Sequence, residues 1–331
     1  MYIFYFDCGT SNTRGYVLCD GKILSSNNRN VGAKDVSINK HNKVLLDAMY
    51  EIYTDSIKEA GITSDDVSDI YASGMITSPF GLKEVPHMCV PVDVNVIRDS
   101  MYEYEEDILF HRKIKLIRGL KTLDGKITRD NLSDLNNVRG EEPEVFGIFN
   151  HIPKAWKKQS YLIIIPGSHT HGLMIENDTI IDILSTFSGE IFHAITSATV
   201  LSGSTAIEDK NKYRPDMGAV SYGCDLLNRY GIARAVYMVH AMKIFDVENN
   251  HIRRDALSGI IAAATVDSFL HILDDKWKNI ENIAIYGDET MIKAYELAFS
   301  SVSDKYPFNL FLLNRNEHKC GIEGFYKIAK G

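Results

Sequence analysis

The sequence predicts an α/β protein of two domains with similar topology, and three observations carry that expectation. Strand-like and helix-like segments alternate along the whole chain, which is the pattern of the α/β class. A three-strand meander, with a turn of small polar residues after its first strand, occurs twice, near residues 7 and 167. The 331 residues suffice for two cores at roughly 100–200 residues per domain. The expected division is 1–150 and 151–331.

The first meander opens with the apolar run Tyr2 to Phe6, followed by the turn cluster Asp7-Cys8-Gly9-Thr10-Ser11-Asn12. Thr13 to Cys19 is rich in β-formers, Asp20-Gly21 is a two-residue hairpin signal, and Lys22 to Ser26 returns. Val44, Leu45, Ala48, Met49, Ile52, Tyr53, Ile57 and Ala60 recur at helical spacing, and Gly61 is placed to end that helix. Asp69 to Ser73 reads as a strand ending at Gly74, and Lys113 to Ile117 as another; helices are expected around 93–110. The second meander runs from the buried-type strand Tyr161 to Ile165, through Pro166-Gly167-Ser168-His169-Thr170-His171-Gly172, to Leu173–Glu176. It turns at Asn177-Asp178 and returns over Thr179 to Leu184. A helix follows from Ser188, and another is expected around 205–220. Tyr222 to Phe245 and Arg254 to Leu273 are long periodic helices. Ile280 to Tyr286 is a strand ending at Gly287, with a helix from Asp288. Phe308 to Leu313 and Gly321 to Ala329 close the chain as strand and helix.

Composition narrows the classes. With 17 Tyr and 14 Phe the chain is not a solvated tail. A net charge of −8 disfavours a general nucleic-acid binder, which needs a basic stripe. The densest basic stretch, His111 to Lys115, interleaves with apolar residues and reads as a strand with one wet face. Five cysteines at wide spacings with no CxxC pair argue against a disulfide framework or a zinc site and fit a reducing cytoplasm. The N-terminal run meets an acid after six residues and lacks a basic leader, so it reads as a strand and not a signal peptide. No run of about 18 apolar residues suggests a membrane span.

Asp7 to Arg14 is the most informative stretch. A carboxylate at a strand end is followed by small, hydroxyl-bearing residues whose backbone N–H groups can converge on one anion. The carboxylate can hold Mg²⁺ through water, because that ion keeps several of its waters. The same residues equally suit a polar hairpin in which the aspartate caps a turn. Pro166 to Thr170 repeats such a turn in the same topological place. Its histidines, His169 and His171, read first as loop hydrogen-bonders, with no carboxylate spaced to complete a metal triad. Val138 to Gly147 reads as a loop entering a helix: Pro143 suits the first turn and Glu142 and Glu144 suit the positive end of its dipole. Arg139 and Gly140 are not explained by that role. A carboxylate beside an arginine at a loop–helix junction also suits deprotonation of a hydroxyl while an acidic substrate is held. Ser73-Gly74-Met75-Ile76-Thr77-Ser78 carries hydroxyl and amide groups suited to a polyol, Gly189-Glu190 sits at a helix start, and Gly287 stands where a flat base can approach the backbone. There is no GxxxxGK[ST] loop, no GxGxxG after the first strand, no GxSxG and no HExxH.

Together these pieces resemble the acetate and sugar kinase/Hsp70/actin superfamily and, more narrowly, the 2-dehydro-3-deoxygalactonokinase family. The matching pieces are Asp7 to Arg14, Ser73 to Ser78, Val138 to Glu142, Pro166 to Thr170 and Ser188 to Phe192, in the family's order, with Leu257-Ser258-Gly259 extending the match. The resemblance implies two ribonuclease-H-like domains with mixed sheets around an interdomain cleft. It implies ATP-dependent phosphorylation of 2-dehydro-3-deoxy-D-galactonate at O6, as in galactonate breakdown. Another sugar or keto-deoxy acid is the first rival, and a non-catalytic actin- or Hsp70-like ATP-binding protein the second. It implies ATP and Mg²⁺ as cofactors, with Asp7 holding the Mg²⁺ shell and Gly9, Thr10, Ser11, Asn12 and Arg14 meeting the phosphates. Gly167, Ser168 and His169 form the second phosphate clamp, and Gly287 lies at the adenosine. Glu141 is the expected general base, with Glu142 second. Ser73, Gly74, Met75, Arg139, Gly189 and Glu190 would meet the sugar acid, Arg139 through the substrate carboxylate. A small-molecule acid and ATP are the expected partners, with no nucleic acid or membrane and a homodimer left open. The chain departs from the family at Cys8, where Trp is usual, at His171, where Lys is usual, and at Pro79-Phe80-Gly81, where a polar run is usual.

Overall fold

The computed structural model describes residues 1–209 and 211–330; Lys210 and Gly331, both in the expected second domain, lie outside the described residues. The chain forms two compact units. The first comprises Met1–His151, Asp178–Ile180 and the stretch from Lys319 onward; the second comprises Ile152–Asn177 and Ile181–His318.

The first unit begins with the meander β1 (Tyr2–Cys8), β2 (Thr13–Cys19) and β3 (Lys22–Arg29), antiparallel throughout. Asp20 and Gly21 both take positive φ, 49° and 77°, as a tight two-residue hairpin requires. Helices α1 (Ala33–Asn39) and α2 (Lys43–Glu59) follow, and β4 (Val67–Gly74) lies parallel to β1. Then come β5 (Met88–Cys89), α3 (Val94–Asp99), β6 (Tyr102–Glu106), β7 (Arg112–Leu116), β8 (Leu120–Lys121), β9 (Asn137–Val138) and α4 (Glu142–Ile148). The main sheet has the order β3-β2-β1-β4-β7-β6, and β5-β8-β9 form a second, small sheet. Phe4, Phe6, Leu45, Met49 and Ile52 are fully buried in one cluster, which is why the periodic face of α2 specifies its seat. The basic stretch around Lys113 is a strand with one wet face, as its alternation predicts: Ile114 and Leu116 are buried while Lys113 is exposed.

The segment 93–110 differs from the helices expected there. Only six residues are helical, and Tyr102–Glu106 is an edge strand on β7. Its Tyr-Glu alternation matches the pleat, and Lys113 bridges Glu103 and Glu105 at 2.8 and 3.4 Å, so cross-strand pairing outweighs helix propensity.

The second unit repeats the scheme. β10 (Tyr161–Ile165), β11 (Thr170–Glu176) and β12 (Thr179–Thr186) form the meander, with Asn177 and Asp178 both at positive φ in its turn. Helices α5 (Ser188–Ala198), α6 (Met217–Ile244) and α7 (Asn250–Asp275) follow, then β13 (Asn282–Gly287), α8 (Glu289–Ser300) and β14 (Asn309–Asn314). The sheet order is β12-β11-β10-β13-β14, with β13 parallel to both β10 and β14. This is the order of the first sheet without its extra edge strand. β10 and β13 are buried along their whole length, which explains their unbroken apolar runs. The helix expected around 205–220 starts only at Met217, where the Asp216 side chain caps Ala219, and α6 is interrupted at Gly231 (φ 72°). Among the described residues only α7 is long and apolar enough to cross a bilayer, and 67% of its most apolar window is buried, as a core helix requires. The terminal helix α9 (Cys320–Lys330) packs in the first unit on α4, with Phe325 stacked on Tyr5 at 3.9 Å. The sequence-based division had placed it with the second domain.

Candidate active site

In the first unit the turn after β1 is built by its own backbone. Gly9 N–H donates to Asn12 O at 2.8 Å, while the Gly9 and Thr10 carbonyls accept from Ala33 and Lys34 at the start of α1, at 3.2 and 2.9 Å. With those carbonyls occupied, the exposed residues Thr10, Ser11 and Asn12 offer amide and hydroxyl donors, which is what an anion needs. Asp7 stands at the end of β1, opposite Arg14 across the ladder, and the two pair at 3.2 Å. Among the described residues no group of three or more His, Cys, Asp or Glu is placed to hold a metal ion. A single carboxylate beside a turn of donors fits Mg²⁺ held mainly by water and phosphate oxygens.

Two glycines bring the other predicted pieces to that turn. β1 and β4 run parallel, with Asp7 level with Ser73 and Cys8 with Gly74. Gly74 has φ +85°, and a Cβ there would lie 2.4 Å from the Cys8 carbonyl oxygen. Gly140 has φ +116°, and its Cβ would lie 3.2 Å from the Gly74 Cα. A side chain at Gly74 would press on the end of β1, and one at Gly140 would push the loop 138–142 away from the end of β4. Tyr5 reaches Ser73 at 2.7 Å beneath this junction.

The loop carries an arginine and two glutamates in different surroundings. Arg139 Nη1 donates to the carbonyl and the hydroxyl of Thr77, and Nη2 lies 3.1 Å from the His87 ring. Glu141, half-buried, accepts from the Arg139 N–H at 3.1 Å. Glu142 is 1% exposed. One of its carboxyl oxygens accepts from the Gly140 N–H at 2.8 Å; among the described residues the other has no partner. Burial, reinforced by the neighbouring Glu141 charge, pushes the Glu142 carboxyl up to about 8. Glu142 is therefore mostly neutral at pH 7 and sealed from solvent, whereas Glu141, at the N-cap of α4, stays partly open to it.

In the second unit the turn between β10 and β11 lies against the start of α5. Glu190 N–H donates to the Ser168 carbonyl at 3.0 Å, and a Cβ on Gly189 would lie 2.4 Å from the Gly167 oxygen. The positive end of an 11-residue helix thus abuts the turn, as in many phosphate sites. Buried Thr170 ties the arrangement together through Ser188 at 2.6 Å and Tyr295 at 2.7 Å. His169 packs on Phe187 at 4.9 Å. His171 is buried on Ser185 at 2.9 Å; burial, then His169, lowers it to about 4. It is neutral at pH 7 and supplies no substitute for a lysine charge. Gly287 ends β13 beside Pro166, whose Cδ lies 3.6 Å from the Gly287 Cβ position.

A cavity of about 230 Å³ is lined by Gly167, Ser188, Gly189, Tyr213, Arg254 and Asp255, among others. The structure thus groups Gly167 with Gly189 around one cavity. Among the described residues His169 and Gly287 are not in its lining. Sequence reasoning missed Tyr213, Arg254 and Asp255 here and His87 beside Arg139, and it had Thr77 only as part of the Ser73–Ser78 stretch, not as a partner of Arg139. The signal for Arg254 and Asp255 was their place one helical turn before Ser258 and Gly259; His87 left none.

Comparison with known proteins shows the family and the fold. The family model described as 2-keto-3-deoxy-galactonokinase matches residues 7–307. A 2-dehydro-3-deoxygalactonokinase of Escherichia coli (strain K12) is 21% identical over 296 residues, covering 89% of this chain and 88% of that protein. A crystal structure of a candidate 2-dehydro-3-deoxygalactonokinase from Sinorhizobium meliloti superposes with a TM-score of 0.78 at 18% identity. It covers 99% of this chain and 98% of that one.

Proposed function

The chain belongs to the 2-keto-3-deoxy-galactonokinase family, enzymes that transfer a phosphoryl group to an alcohol, and from that premise we propose that it phosphorylates 2-dehydro-3-deoxy-D-galactonate at O6 with ATP. The observation that supports the reading is the Cys8–Gly74–Gly140 junction, where the turn after β1, the end of β4 and the arginine–glutamate loop meet within one unit. Phosphoryl transfer asks little covalent chemistry of the protein, and positioning with charge stabilisation does most of the work.

Each residue then has a role. Gly9, Thr10, Ser11, Asn12 and Arg14 meet ATP phosphates in the first unit, and Gly167, Ser168 and His169 form the phosphate-binding turn of the second, with Gly287 at the adenosine. Asp7 would hold Mg²⁺ through water, and the ion when bound supplies positive charge to the phosphate oxygens. Ser73, Gly74 and Met75 take sugar hydroxyls, Gly189 and Glu190 also meet the sugar acid, and Arg139 takes the carboxylate. Glu141 removes the proton from the attacking hydroxyl; Glu142, buried and neutral, fills the base of the loop. We place ATP turnover in the cytoplasm, in keeping with five cysteines at wide spacings and no CxxC pair.

An ADP-release assay on a panel of 2-keto-3-deoxy acids and plain hexoses tests the reading, with phosphorus NMR locating the product ester. Preference for 2-dehydro-3-deoxy-D-galactonate and an ester at O6 is the expected result. Preference for another keto-deoxy acid would change the substrate and keep the reaction. ATP hydrolysis indifferent to every sugar would overturn the kinase reading.

A further inference from the structure

The half-buried guanidinium of Arg139 has an unusual set of partners. A guanidinium carries five N–H donors, and burial makes an unbalanced charge costly. Yet among the described residues no carboxylate is in ion-pair contact with it: Nη1 is held by Thr77 and Nη2 by the His87 ring, at 3.1 and 3.3 Å from its two nitrogens. Both partners are neutral. Burial first, then the charges of Arg139, Lys121 and Arg118, lowers His87 to about 4, so its ring accepts without repelling the arginine. Lys121 is partly offset by Asp124 at 3.2 Å, and Arg118 donates to the Pro86 carbonyl at 2.9 Å.

The small sheet is the frame that holds this arrangement. His87 precedes β5, Gly119 precedes β8 and Arg139 follows β9, with β8 the central strand. Met88 N–H donates to Gly119 O at 2.8 Å. A Cβ on Gly119 would lie 2.7 Å from His87 Cδ2 and 2.8 Å from the Val138 carbonyl, so the missing side chain is what lets the imidazole and β9 approach. Leu120 and Val138 are fully buried. On the other side Thr77, itself buried, donates to the Gly74 carbonyl at 3.2 Å, which ties the arginine to the polyol-binding strand end.

Resting on the sugar-acid reading above, we propose that His87 and Thr77 are positioning residues that hold Arg139 as a charge awaiting the substrate carboxylate, and so set the preference for acids over neutral sugars. Neutral acceptors orient the guanidinium without consuming its charge, which a carboxylate in their place would do.

The test is steady-state kinetics of the wild type, His87→Leu, His87→Gln and Thr77→Val, varying 2-dehydro-3-deoxy-D-galactonate at saturating Mg·ATP and ATP at saturating acid, with melting curves to confirm folding. For His87→Leu and Thr77→Val the KM for the acid is expected to rise about tenfold, the scale of one oriented charge-assisted hydrogen bond. The KM for ATP and kcat stay within about twofold. His87→Gln keeps an acceptor and restores most of the acid affinity. If one leucine or valine variant does not fold, the other carries the same test. An unchanged acid KM, or an equal rise in both KM values with a fall in kcat, overturns the inference while leaving the kinase reading intact. A wild type that phosphorylates hexoses and no acid overturns both.

Discussion

Glutamine at position 142 should abolish a pH dependence of stability that the wild type carries. The Glu142 carboxyl rises from an ordinary 4.5 to about 8 because it is buried beside Glu141, against the opposing pull of the Gly140 N–H and Arg139. The folded chain therefore keeps a proton that the unfolded chain releases above pH 4.5. Stability from this group is full below that pH and is lost as pH rises through about 8. One proton of difference is worth about 1.4 kcal/mol per pH unit. Integrated between pH 5 and 7.5 with these two values, the wild type should lose about 3 kcal/mol relative to Glu142→Gln, whose amide cannot ionise. Urea unfolding of both proteins at pH 5, 6, 7 and 7.5 measures this, because other titrating groups cancel in the difference. Curves that stay parallel within about 0.5 kcal/mol, inside the error of the extrapolation, would show that Glu142 is ionised in the folded chain and that its burial has been misjudged.

Three further outcomes follow from the site. Asp7→Asn should abolish turnover while the melting curve stays near that of the wild type, since Asp7 is half-exposed at a strand end; a near-normal rate removes its role toward the metal and phosphates. Glu141→Gln should lower kcat by about 10²–10⁴-fold, the usual span for a lost general base, with ATP binding by calorimetry retained; a normal rate there would move the base elsewhere. Gly189→Ala places a methyl 2.4 Å from the Gly167 oxygen and 2.8 Å from the Ser168 Cα, backbone atoms that cannot swing aside. The KM for ATP should rise by roughly tenfold or more, and an unchanged value would separate this turn from the nucleotide.

The chain's local patterns determined much of this molecule. Alternation and apolar runs located the strands from Tyr2 to Cys19 and from Tyr161 to Ile165, the helical spacing of Leu45 to Ile57 located α2, and the small residues at 9–12 and 167–169 located the turns that follow β1 and β10. Those features depend on neighbours a few residues away, where backbone preference and side-chain periodicity are written directly. Tertiary structure decided what depends on distant neighbours. Tyr102–Glu106 became a strand because β7 lay ready to pair with it, and α9 joined the first unit because α4 offered its face. Adjacent Glu141 and Glu142 have the same chemistry on paper; one stays near solvent and the other loses it, because the helix turns them to different surroundings. Arg139 meets Thr77 and His87 across 62 and 52 residues of chain, and no spacing rule links them. A residue's identity sets which charges and hydrogen bonds it can offer, but desolvation and partner geometry, which decide how it uses them, exist only once the chain has packed.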